Sequence, residues 1–147
     1  MNLSEYVKNR NGVPIGHSKS LRNNLYRSLG AKNFSAFWNH WNPIFGYYLG
    51  TKIFKPLKRI FPVAIALILT FVFCGLVHDF VTTLLRRKLS LFFSVWFFIM
   101  GISVAITKYI DYDFSQKRWI FRATTTLLII AFCIALTLFL NKVLNFY

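Results

Sequence analysis

Three apolar stretches, residues 61–85, 89–107 and 120–140, constrain this chain more than anything else in it. A helix needs about 20 residues to cross the hydrocarbon core of a bilayer. Each stretch reaches or approaches that length. Inside lipid a segment must satisfy its own backbone hydrogen bonds, which a helix does. The sequence therefore predicts an all-α integral membrane protein with about three transmembrane helices. The first stretch lies too far into the chain and runs too long for a cleaved signal, so no signal peptide is expected. Composition points the same way. Charged residues make up 15% of the chain and hydrophobic ones 56%, whereas a soluble domain carries roughly 25% charged residues.

Ahead of the spans lies a different kind of sequence. Residues 1–59 form a basic, aromatic membrane-interface segment, and residues 60–147 form the transmembrane helical domain. The first segment holds Lys8, Arg10, Lys19, Arg22, Arg27, Lys32, Lys52, Lys55, Lys58 and Arg59 against a single acid, Glu5. Such charge beside apolar spans predicts contact with the bilayer and its anionic headgroups. The absence of any nucleic-acid-binding motif argues against a nucleic-acid partner.

Within this segment, Asn11-Gly12 and Pro14 mark turns, and Leu21–Leu29 could form a short amphipathic helix. In residues 33–49, Phe34, Trp38, Trp41, Phe45 and Tyr48 recur at helical spacing beside a polar stripe of Ser35, Asn39, Asn42 and Gly46. Trp and Tyr favour the headgroup level. The expectation is amphipathic interfacial or re-entrant helices, kinked or divided at Pro43.

Positive charge sets the expected orientation. A cytoplasmic N-terminus leaves Arg86, Arg87, Lys88 and Lys142 outside and the remaining basic residues inside. The reading is a multi-pass protein with its N-terminus in the cytoplasm. Tyr109 and Trp119, which flank the charged loop between the last two spans, suit interface anchors. Cys74 and Cys133 fall within spans and read as small buried hydrophobes. Three scattered histidines do not make a metal site.

The pair His78-Asp79 carries the chemistry. It lies within the first span, about 8 Å from the midplane at 1.5 Å per residue. Ionisable groups at such depth face a protein interior or a wet cavity. Desolvation favours neutral histidine, the form that acts as a general base. Neighbours on a helix diverge, so Asp79 is expected to pair elsewhere, and Thr82, four residues beyond His78, is the better local partner. The alternative is a helix that ends near Val77, with His78 and Asp79 at the interface. Asn42 is the second candidate: an amide that orients a substrate, or an N-cap or turn residue before Pro43. His40 is expected to face headgroups, and His17 to be solvated.

Phe37-Trp38-Asn39-His40-Trp41-Asn42-Pro43 resembles the FWxxWN motif of the membrane-bound O-acyltransferases, especially their sterol and diacylglycerol branch. Phe73-Cys74-Gly75-Leu76-Val77-His78-Asp79-Phe80 resembles that branch's histidine segment, and the order and rough spacing of the two motifs also match. The resemblance covers roughly residues 33–110. It implies an acyltransferase that moves an acyl group from a thioester such as acyl-CoA to a hydroxyl acceptor. His78 would be the base and Asn42 its paired polar residue, supported by Asp79, Asn39, Trp38, Trp41 and Thr82. No bound cofactor is implied, with acyl-CoA the co-substrate. Lys52, Lys55, Lys58 and Arg59 would meet CoA phosphates or lipid headgroups.

Full-length members of that family enclose their site in a tunnel through a larger helix bundle. This chain resembles their C-terminal core standing alone. It is therefore expected to form a homo-oligomer, to join a membrane partner subunit, or to have lost catalysis. A non-catalytic subunit that scaffolds a larger complex is the alternative reading. The small residues Gly101 and Ser103, which permit close helix packing, speak for it.

Overall fold

The computed structural model describes residues 1–144, and those residues form helices and connecting turns without strands. The first half is a series of short helices: α1 (Leu3–Asn11), α2 (Ser20–Leu29), α3 (Phe34–His40) and α4 (Pro43–Tyr48). Helix α4 continues without a break through a π-helical stretch, Leu49–Phe54, into the short α5 (Lys55–Leu57). Three long helices follow: α6 (Val63–Arg86), α7 (Phe92–Ile110) and α8 (Trp119–Leu144). All three are long and apolar enough to cross a membrane. Helix α8 turns Leu127, Leu128, Phe132, Leu138 and Phe139 outward. An apolar exterior of that kind suits lipid.

The short helices begin where local chemistry dictates. Asn2 and Glu5 form a reciprocal capping box at the start of α1, and Asn33 accepts from the Ala36 amide at the start of α3. The Leu21–Leu29 expectation is met by α2. The helical period running through residues 33–49 is interrupted at Asn42. This residue adopts a left-handed conformation (φ 41°), and Pro43 opens the next helix. Asn is among the few residues that visit this region readily.

Helix α6 does not stop at Val77. It runs through His78 and Asp79 to Arg86, so the pair sits inside the helix. Helices α6 and α7 form the most extensive pairing among the described residues, an antiparallel hairpin joined by residues 87–91. Two small residues allow it. A Cβ on Gly75 would lie 2.6 Å from the Phe93 carbonyl oxygen and from the Ser94 Cα. A Cβ on Gly101 would lie 3.0 Å from the Phe71 Cβ. The small size of Gly101 is therefore used within the chain. Ser103 likewise donates to the Ile99 carbonyl and lies 3.4 Å from the Cys133 sulfur.

The N-terminal helices dock on the α7–α8 loop. Lys32 pairs with Asp113 at 2.8 Å, Asn33 donates to the Tyr112 carbonyl, and the Phe34 amide donates to the Tyr112 hydroxyl. Trp119, expected as an interface anchor, stacks on Tyr26 at 5.5 Å and donates to the Tyr26 carbonyl. Tyr109 remains exposed.

Gly75 yields the first prediction. Gly75→Ala gains helix propensity of about 1 kcal/mol. The added methyl, however, meets backbone atoms of α7 that cannot rotate away. Overpacking of this kind costs about 1–3 kcal/mol, occasionally more, so net destabilisation is expected. Equilibrium unfolding in mixed micelles checks the sign. An unchanged or raised midpoint would refute the close approach.

Candidate functional site

The site grows from the bend between α3 and α4 where it meets the α6–α7 hairpin. A cavity of about 410 Å³ opens there, a volume within the usual range for small-molecule sites. Trp38, Asn39, Trp41 and Asn42 line it from the bend, and Cys74, His78 and Phe97 from the hairpin. The structure thus brings both halves of the sequence pattern to one wall. Tyr6 of α1 and Lys108 of α7 also line the cavity. Tyr6 carried no sequence signal, because nothing local marks α1 as a neighbour of α4. Lys108 entered the sequence reading only as part of a charge count.

His78 sits among rings. Phe97 stacks on it at 5.2 Å, Phe93 lies at 5.4 Å, and Phe45 of α4 approaches edge-on at 6.4 Å. Its Nδ1 lies 2.8 Å from the Cys74 carbonyl oxygen, one helical turn earlier. A carbonyl only accepts, so in this geometry Nδ1 carries the proton and donates. In the neutral ring the lone pair then belongs to Nε2, which has no hydrogen-bond partner among the described residues. The tautomer of a base is thus set by its own helix.

Asp79 faces the other way and is only 3% exposed. Its Oδ1 accepts from the Phe93 amide at 2.9 Å and its Oδ2 from the Ser94 amide at 2.7 Å. These belong to the first turn of α7, whose amides have no partner within their own helix. Ser90 Oγ accepts from Phe92, and the Val95 amide reaches the Leu91 carbonyl. Side chains thus take the Phe92, Phe93 and Ser94 amides, two of the three through Asp79 of α6. Thr82 gives its hydroxyl to the carbonyls of His78 and Asp79, and so makes no bond to the imidazole.

Asn42 does two things. Its Oδ1 accepts from the Phe45 amide at 3.3 Å and caps α4, while its side chain lines the cavity. Its Nδ2 makes no hydrogen bond among the described residues. Trp38 packs edge-on against Phe71 at 5.0 Å, and its buried Nε1 also lacks a partner there. Trp41 stacks on Phe37 at 5.4 Å, and Asn39 is exposed.

Lys52, Lys55, Lys58 and Arg59 are exposed along the π segment, α5 and the turn that follows. His40, read from the sequence as facing headgroups, is half-buried, and its Nδ1 donates to the Arg10 carbonyl at 3.1 Å. Burial holds its pKa below the ordinary histidine value. His17 accepts from the Lys19 amide in an exposed loop. Among the described residues no group of three His, Cys, Asp or Glu side chains is placed to hold a metal ion.

No family model matches the sequence, and neither a curated protein nor a solved structure matches it.

Two expectations follow. Asp79→Ala leaves two buried amides unpaired and should cost about 2–4 kcal/mol. Asp79→Asn keeps one acceptor and should cost less, with both read by unfolding in mixed micelles. Equal, negligible losses would sink the capping role. For His40, the unfolded chain takes up a proton first as pH falls. Stability should therefore drop as pH falls through the ordinary histidine pKa toward the lower folded one. His40→Gln should flatten that slope, and the ring's NMR titration should show a midpoint below 6.5.

Proposed function

We propose that the chain is a membrane-embedded acyltransferase with His78 as general base. It would move an acyl group from a thioester such as acyl-CoA to a hydroxyl acceptor, as in the membrane-bound O-acyltransferases that its two motifs resemble. The observation that carries the reading is that Asn42 and His78, far apart in sequence, line one cavity, with Nε2 of His78 left unpaired. In this reading Nε2 takes the acceptor hydroxyl's proton as the oxygen attacks the thioester carbonyl. The carbon–sulfur bond breaks, and the imidazolium returns the proton to the departing thiolate. Asn42 Nδ2 is a donor available to a carbonyl oxygen on which charge develops.

The reading also places α3 to α5 as a re-entrant or interfacial element. Phe45 reaches the level of His78, fifteen residues into α6, which supports that placement. It sets the N-terminus in the cytoplasm. The docking of residues 26–34 on residues 112–119 supports a shared side for both segments, and the excess of basic residues there supports the cytoplasmic face.

The test is transfer of label from acyl-CoA into membrane extracts at matched expression. Wild type should form product, and His78→Ala should lose it by at least about a hundredfold, in line with general-base catalysis. Asn42→Asp keeps the capping oxygen and tolerates the left-handed backbone but removes both amide hydrogens. It should lose activity while keeping wild-type stability. Transfer that survives His78→Ala would overturn the assignment. No transfer by wild type over a broad donor and acceptor panel would favour a non-catalytic subunit.

A further inference from the structure

A second, smaller recess lies on the flank of the hairpin. It measures about 200 Å³ and is lined by Val63, Ala64 and Leu67 of α6 and by Ala105, Lys108 and Tyr109 of α7. Its walls are apolar except at one end, where Lys108 stands. Lys108 lies in the last turn of α7, and Val63 opens α6, so the recess sits at the end of the spans nearest Arg59. Lys108 forms no ion pair among the described residues. Lys55, Lys58 and Arg59 are exposed just before α6 and also have no acidic partner there. The two acids nearest in the chain are Asp111, which ends α7, and Asp113, which is tied to Lys32.

We propose that this recess binds an anionic phospholipid of the surrounding bilayer. One acyl chain lies along Val63, Ala64, Leu67 and Ala105, and the phosphate meets the Lys108 ammonium. This end of the spans carries unpaired cations beside an apolar furrow, and basic recesses between membrane helices suit anionic headgroups. The furrow argues for a lipid over a free phosphate, since an inorganic ion has no use for apolar walls. Tyr109, 90% exposed at the rim, suits the headgroup level. Lys108 and Leu67 also line the larger cavity, so the bound headgroup would sit at the edge of the His78 site. The assignment does not depend on that site being catalytic.

The experiment is native mass spectrometry of the purified full chain in detergent with added dioleoylphosphatidylglycerol, dioleoylphosphatidylcholine or inorganic phosphate. Wild type should retain phosphatidylglycerol over phosphatidylcholine. Lys108→Gln should weaken retention about fivefold, the value of one basic residue at such a surface. Ala64→Phe, at an exposed position that leaves the hairpin packing intact, should fill the furrow and also lower retention. Three results would overturn the proposal. Equal retention of the two lipids would remove the charge argument. Displacement of the lipid by inorganic phosphate at equal concentration would remove the furrow. Loss on neutralising Lys55, Lys58 and Arg59 together, with no effect of Lys108→Gln or Ala64→Phe, would assign the binding to diffuse surface charge.

Discussion

The carboxylate of Asp79 is the interaction on which the rest depends. An α7 that begins among apolar neighbours exposes amides with no partner in its own backbone. Unpaired amides in such surroundings cost several kcal/mol each. Asp79 meets two of them from the neighbouring helix. Gly75, one turn earlier on the same face of α6, lets the two backbones come close enough for that reach. The bond also fixes the register of α7. Phe93 and Phe97 are held where they flank His78, so the surroundings of the imidazole follow from the fate of its sequence neighbour.

Adjacent residues thus perform divergent tasks because a helix points them apart. His78 turns to the cavity and takes its tautomer from the Cys74 carbonyl. Asp79 turns to α7 and never touches the ring. The pair makes sense as one functional side chain and one structural side chain carried on a single turn.

Much of this was legible in the sequence, because the controlling physics is local. The three spans follow from length and apolarity, α2 from its amphipathic period, and the division at Pro43 from the ring of proline. Boundaries were less legible. The second span was expected at 89–107, but α7 runs Phe92–Ile110, since Ser90 and Leu91 belong to the turn that presents the first amides to Asp79. The partners of Asp79, His40 and Trp119 were not readable at all, for they lie 14, 30 and 93 residues away. Nor was the π stretch, in which the Lys55 amide reaches back to the Gly50 carbonyl. One extra residue per turn shifts every later side chain around the axis. Phe54 lines the cavity with Gly46 and Gly50.

The latch between the N-terminal helices and the α7–α8 loop has a consequence for the order in which the molecule comes together. Lys32 waits 81 residues for Asp113, and Tyr26 waits 93 for Trp119. On a growing chain, the part made first is the part secured last. Until α8 begins to emerge, α2 has no loop to grip, and α1 rests on its packing against α2, α3 and α4. The wall they give the cavity through Tyr6 is then held only by its own short-range contacts. Completion of the cavity is in this sense a late event of synthesis, timed by a loop that contributes none of its lining.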